Sequence, residues 1–207
     1  DHDVVELSNL HRQILYTKHD IGLQKATACA KILTSTDSDV VYEGICKKIE
    51  SDRDLLPYLE NADFVFNAFG YYPEEEAKDA ISGYITKASI LTKTPMLCLS
   101  TNWIGPLYIP GKSACYFCTV MQPELESLLR QVKKNSRVDK RAFCPILSIT
   151  CSLAVLEAVR YLTNISMPSI VKGVTSINPF QIEKSVFFPV PIKENCRYCQ
   201  SGHGVNE

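Results

Sequence analysis

The chain has 207 residues, 45% of them hydrophobic and 22% charged, with a formal net charge of −1. That composition belongs to a globular domain large enough to bury its own core, and the near-neutral charge offers nucleic acid or an anionic membrane no general hold. No apolar run is expected to reach the roughly 18 residues a membrane span needs, and the polar start Asp1-His2-Asp3 is not that of a signal peptide.

Nine cysteines, an odd number, argue against a disulfide framework. Cys29, Cys98 and Cys151 lie in apolar or helical stretches, where a free thiol behaves as a small hydrophobe. Such usage points to a reducing, cytoplasmic compartment.

In chain order, residues 22–34 read as a helix, with Ala26, Cys29, Ala30 and Leu33 on one apolar face. Asp39-Val-Val-Tyr42 reads as a short strand. Residues 51–60 read as a short helix, with Ser51 as N-cap and Asp54 three positions on. Phe64-Val-Phe-Asn67 is the brief apolar run of a buried parallel strand. A helix over 74–92 and a strand over Pro95-Met-Leu-Cys-Leu99 follow. This alternation predicts an α/β fold with a Rossmann-like, doubly wound sheet. The second half breaks the alternation. Residues 102–118 carry Gly105-Pro106 and Pro110-Gly111, which predict turns and short strands. Residues 119–141 are polar, with a basic stretch from Arg130 to Arg141, and read as a mobile excursion. Residues 148–163 predict a largely buried helix, and 170–190 further strands. No repeat or low-complexity tract divides the chain, so 1–207 reads as one domain.

Four cysteines form two C-x-x-C pairs, Cys115-Tyr-Phe-Cys118 and Cys196-Arg-Tyr-Cys199. A C-x-x-C turn presents two thiolates to one side of a metal, and two such turns complete the tetrahedral shell of a structural zinc. The metal would tie the middle of the chain to its end and contribute folding energy directly. The competing reading, two unrelated redox or idle pairs, lacks a pair that opens a helix after a strand.

The segment from Asp1 to Gln13 gathers two acids, the Asn9 amide, the Arg12 guanidinium and the Gln13 amide, and Lys25 follows in Asp20-Ile-Gly-Leu-Gln-Lys25. An acid at a strand end can bond a ribose hydroxyl, and Arg and Lys near a helix start can hold a triphosphate. Composition alone leaves the segment open between that role and a solvated polar loop.

The string D-x-D-x-x-x-x-S-N-L-x-R-Q followed by D-I-G-x-x-K-A resembles the ThiF/MoeB/HesA superfamily, bacterial relatives of the ubiquitin-activating enzymes. The stretch Ile104 to Cys118 looks closest to the branch containing the microcin C adenylating enzyme, and the two cysteine pairs match the superfamily's zinc site. The resemblance implies a doubly wound sheet that continues into mixed and antiparallel strands. It implies an enzyme in which the C-terminal carboxylate of a peptide or ubiquitin-like protein attacks the α-phosphate of ATP, with Mg2+, releasing pyrophosphate. Asp1 matches the ribose-binding acid and Asp3 the acid beside it. Asn9, Arg12, Gln13 and Lys25 match the phosphate-contacting set, with Arg12 and Lys25 as the catalytic cations. A homodimer is implied, and the excursion over 119–141 would cover the substrate.

Two departures stand out. The strand and glycine-rich turn that such a protein carries ahead of its ribose-binding acid are not in this sequence, which reads as a piece of a longer polypeptide. Gly70 occupies the position of the magnesium-binding aspartate, with Asn67 nearby and Glu74, Glu75 and Glu76 after it. An amide is a weak substitute for a carboxylate on a hard cation. The alternative is therefore an adenylation-deficient scaffold that binds a peptide or partner.

Cys144, beside Lys140 and Arg141, reads as a packed cysteine in preference to an acyl acceptor. Trp103, Tyr71, Tyr72 and Tyr108 fit core packing or a peptide groove equally well. His2, His11, His19 and His203 show no metal spacing.

Overall fold

The computed structural model describes residues 1–69, 80–127, 144–178 and 180–200. Gly70, Tyr71, Tyr72, Glu74, Glu75, Glu76, the run Arg130–Arg141 and His203 lie outside the described residues. The chain divides into two compact units, Asp1–Ile49 with Ala142–Pro145, and Glu50–Arg141 with Ile146–Glu207.

The smaller unit is built on a short antiparallel pairing. Val5 N donates to Leu23 O, Gly22 N to Val5 O and Lys25 N to Asp3 O, each at 2.8 Å. Helix α1 (Lys25–Thr36) starts three residues later than the apolar spacing predicts. Gly22 takes φ +89° and Gln24 ψ 125°, and neither is helical. The strand expected over 39–42 is absent. Those residues join no ladder, and Val41 is 96% exposed. A strand needs a neighbour for its N–H and C=O groups, and none of the described residues supplies one.

In the larger unit, Ser51 and Asp54 form the predicted capping box at the 3-10 turn Asp52–Asp54, which leads into α2 (Leu56–Leu59). Strand β1 (Val65–Asn67), helix α3 (Ile81–Thr92) and strand β2 (Met96–Ser100) follow. Next come β3 (Trp103–Tyr108), α4 (Tyr116–Val120), α5 (Cys144–Thr163), β4 (Gly173–Ser176) and β5 (Val186–Pro189). The five strands form one sheet in chain order. β1 and β2 are parallel, and every later pairing is antiparallel. The fold is thus the expected α/β one, a parallel start that continues as antiparallel strands.

Alternation along β2 explains why both sheet faces are buried. Met96 and Cys98 face one core, with Tyr108, Val174 and the cysteine pairs. Leu97 and Leu99 face the other, with Ile104, Leu107, Ala154 of α5 and Ile170. Gly105 allows β3 and β4 to approach closely. Its φ of +103° suits glycine, and a Cβ there would overlap the Gly173 carbonyl.

Two expectations need correction, and one open choice, at Trp103 and Tyr108, is decided. Helix α5 is not largely buried: Ile146, Thr150, Ala154, Glu157 and Ala158 face inward, while Ile149, Leu153, Val155, Leu156, Val159 and Leu162 are 40–53% exposed. At 20 residues and mean hydropathy 1.5, α5 also meets the length and apolarity of a membrane span, although one stripe packs on the sheet. Trp103 stacks on Phe188 and is 8% exposed, and Tyr108 is 4% exposed, so both are core residues and not groove lining. Finally, the excursion predicted from residue 119 does not begin there. Thr119 and Val120 belong to α4, and Leu125 is 1% exposed.

Glu157 joins α5 to the 3-10 turn ahead of β4. Its carboxylate accepts from Ser169 N at 2.6 Å, Ser169 Oγ at 2.9 Å and Ile170 N at 3.2 Å, and it pairs with Arg160. Glu157→Ala would leave the buried Ile170 N–H and the part-buried Ser169 donors without their acceptor, so urea unfolding should show a loss of about 1–3 kcal/mol.

Candidate nucleotide site and metal centre

The polar set picked out near the start lies in the smaller unit. Asn9 ends the 3-10 turn Leu7–Asn9 and is 5% exposed; its Oδ1 accepts from Glu6 N at 3.1 Å. Its carbonyl accepts from Arg12 N at 3.0 Å and Gln13 N at 2.9 Å, which curls the chain so that Arg12 and Gln13 leave one turn. The Arg12 guanidinium donates to Ser8 O at 2.8 Å. Lys25 is the first residue of α1, and its ammonium lies 3.0 Å from Asp3 Oδ2. Asp1 Oδ1 accepts from Asp3 N at 2.9 Å.

Two features separate this set from an ordinary solvated loop. The hydrogen bond from Lys25, then its charge, holds the Asp3 carboxyl below the usual 3.8. The stabilising effect of the pair is therefore present above pH 3.8 and lost as pH falls through the lower folded value. The second feature is Gln13 Oε1, the one buried side-chain polar atom without a hydrogen-bond partner among the described residues. A buried amide oxygen in that condition calls for a partner beyond the described residues, such as a water, an ion or a ligand.

Sequence reasoning missed Tyr16. Its hydroxyl donates to Lys25 O at 2.9 Å, and its backbone N–H donates to Gln13 O at 3.1 Å. Burial, then the nearby Cys29 and Asp20, raises its phenol above 10.0. The one sequence signal was its place three residues after Gln13.

Asn67, at the end of β1, is 1% exposed. Its amide nitrogen donates to Ser82 O at 3.1 Å, and its Oδ1 accepts from Phe69 N and Ser82 Oγ, both at 3.3 Å. The side chain is committed to holding the start of α3. Cys144 is half-buried at the first position of α5. His2, His11 and His19 are exposed, while Cys151, expected as a small packed hydrophobe, is also exposed.

In the larger unit the four paired cysteines converge. Cys115 lies 3.9 Å from Cys118 and 3.8 Å from Cys196, and Cys118 lies 3.6 Å from Cys199, sulfur to sulfur. Four thiolates about 2.3 Å from a tetrahedral zinc stand about 3.8 Å apart, so the cluster fits that ion. Without a cation the four cannot all ionise. Cys115 is pushed well up by its hydrogen bonds to Cys118 and Cys196, and the bond from Cys115 brings Cys118 down to about 7. Contrary to expectation, one pair does open a helix: Cys115 is the N-cap of α4. The convergence of all four sulfurs, and not their helix placement, excludes two unrelated pairs. Among the described residues, the exposed Asp1, His2 and Asp3 form the other group able to hold a cation.

A model of the ThiF family matches residues 1–200. The chain belongs to the ThiF family. Among its relatives, the sulfur carrier protein ThiS adenylyltransferase of Escherichia coli is 25% identical over 173 residues, 82% of this chain and 63% of that protein. The adenylyltransferase and sulfurtransferase MOCS3 of Dictyostelium discoideum is 27% identical over 168 residues, 79% of this chain and 36% of that protein. The crystal structure of E. coli MccB with ATP superposes with a TM-score of 0.75 at 22% identity, covering 96% of this chain and 57% of MccB. This ThiF-family chain thus has the MccB fold and spans less than two thirds of the length of these proteins.

Metal analysis of the purified protein should find about one zinc per chain, and Cys196→Ser should lose it with a drop in melting temperature. Because the ligands are thiolates, competition with a chelator should show weaker zinc retention as pH falls.

Proposed function

We infer that this chain is the adenylating domain of a protein that activates the C-terminal carboxylate of a peptide or ubiquitin-like protein with ATP. The observation that carries the reading is the fixed geometry of the polar set. Lys25 is placed on Asp3 at the first turn of α1, and Arg12 and Gln13, whose Oε1 has no partner among the described residues, leave one turn set by Asn9. The names of the relatives support it: MOCS3 and the ThiS adenylyltransferase are adenylyltransferases, and MccB has been crystallised with ATP and with MccA.

In this reading Asp1 accepts from the ribose and Asp3 holds Lys25 in place. Asn9 and Gln13 orient the phosphates. The Arg12 and Lys25 cations offset the charge that grows on the departing pyrophosphate as a carboxylate oxygen bonds the α-phosphorus. Mg2+ arrives with ATP on the phosphates. The described residues do not supply the carboxylate that the resemblance assigns to it, so no step depends on a protein ligand to Mg2+. The four-cysteine cluster takes a structural zinc. The protein works in the cytoplasm, where its nine cysteines stay out of disulfides. It acts as a homodimer, and the uncharged exposed stripe of α5 is a surface that a second copy would cover.

A second reading, a nucleotide-incompetent scaffold, is favoured by the committed Asn67 amide, which cannot stand in for the carboxylate missing at Gly70. ATP–pyrophosphate exchange with the full-length protein and candidate peptides separates the two. Exchange is expected, and Lys25→Ala and Arg12→Ala should each lower it at least about 100-fold. Absence of exchange with every peptide tried would favour the scaffold.

A further inference from the structure

The two cations invoked above leave different elements, Arg12 a loop and Lys25 a helix, and a triphosphate must meet both. One contact joins those elements directly. Tyr16 continues the turn that carries Arg12 and Gln13, its N–H on Gln13 O, and its hydroxyl reaches the main-chain carbonyl of Lys25 at 2.9 Å. A carbonyl has two lone pairs; the helix uses one, and the phenol takes the other. The first turn of α1 is braced elsewhere too. Lys25 N bonds Asp3 O at 2.8 Å. The chain at Gly44 runs so close that a Cβ there would overlap the Ala26 carbonyl and lie 2.8 Å from Thr27 Cα. Asp3 and Gly44 brace the helix start, and the Tyr16 hydroxyl links it to the turn bearing Arg12.

We propose that Tyr16 is a positioning residue for nucleotide binding: its hydroxyl sets the point from which Lys25 leaves α1 relative to Arg12 and Gln13, so that both cations meet one triphosphate. The role rests on the adenylation reading and adds to it a residue outside the phosphate-contacting set. Phenylalanine keeps the ring and removes only the hydroxyl, so Tyr16→Phe isolates the contact.

The test measures equilibrium binding of ATP to the full-length protein in four forms: wild type, Tyr16→Phe, Lys25→Ala and the double variant. The Kd for ATP should rise about three- to tenfold in Tyr16→Phe, the effect of one hydrogen bond. In the Lys25→Ala background the same substitution should cost no further affinity, because the hydroxyl acts through the lysine. A purely structural role would reduce the fraction of folded protein and leave the Kd of the folded fraction unchanged, which would overturn the proposal. Additive losses in the double variant would overturn it as well. A wild type that does not bind ATP contradicts the adenylation reading and this role together. A wild type that binds ATP with the same Kd as Tyr16→Phe contradicts this role alone.

Discussion

The larger unit depends on four sulfur atoms being brought to one point. Each of the two contacts between the pairs spans 81 residues of chain, a costly closure for an unassisted loop. The cluster lies within the core on one sheet face, beside Met96, Tyr108 and Val174. Phe117 and Tyr198, one from inside each C-x-x-C turn, stack with centroids 3.7 Å apart. The cysteine pairs therefore deliver aromatic side chains to the same interior they close, and Cys196 to Cys199 are packed there. A metal held there would act on every strand from β3 to β5.

The smaller unit is held by other means. Among its described residues only Val5, Ala28 and Asn9 are buried. Three buried side chains are a small core, and the order of the polar segment rests on hydrogen bonds to Asn9, Asp3 and the Tyr16 hydroxyl. The shape of that segment rests on these individual polar contacts.

The parts of the structure that were legible in the sequence share a physical cause. Alternation in Met96–Leu99 and the Ser51–Asp54 capping pattern act locally, so the strand and the cap can be read from a few residues. The cysteine spacing carried its own geometry. What was hidden depends on neighbours. Val40 and Val41 have strand-forming side chains but no adjacent strand to bond among the described residues. Helix α5 is apolar on most sides, so its periodicity could not say which stripe faces the sheet. Trp103 and Tyr108 would suit a groove or a core, and only the packing of Phe188 and the cysteine cluster decided between them. Tyr16 acts nine residues away through a main-chain carbonyl, a contact with no sequence pattern.

The central claim is that a carboxylate oxygen becomes bonded to the α-phosphorus of ATP, and isotope transfer tests it most directly. A pool of peptides made with oxygen-18 in their C-terminal carboxylates would be incubated with ATP and the full-length protein, and the released AMP analysed by mass spectrometry. An acyl-adenylate cleaved at its carbonyl leaves one labelled oxygen on AMP, and that is the predicted result. Unlabelled AMP, or nucleotide recovered only as ATP or ADP, would contradict the account.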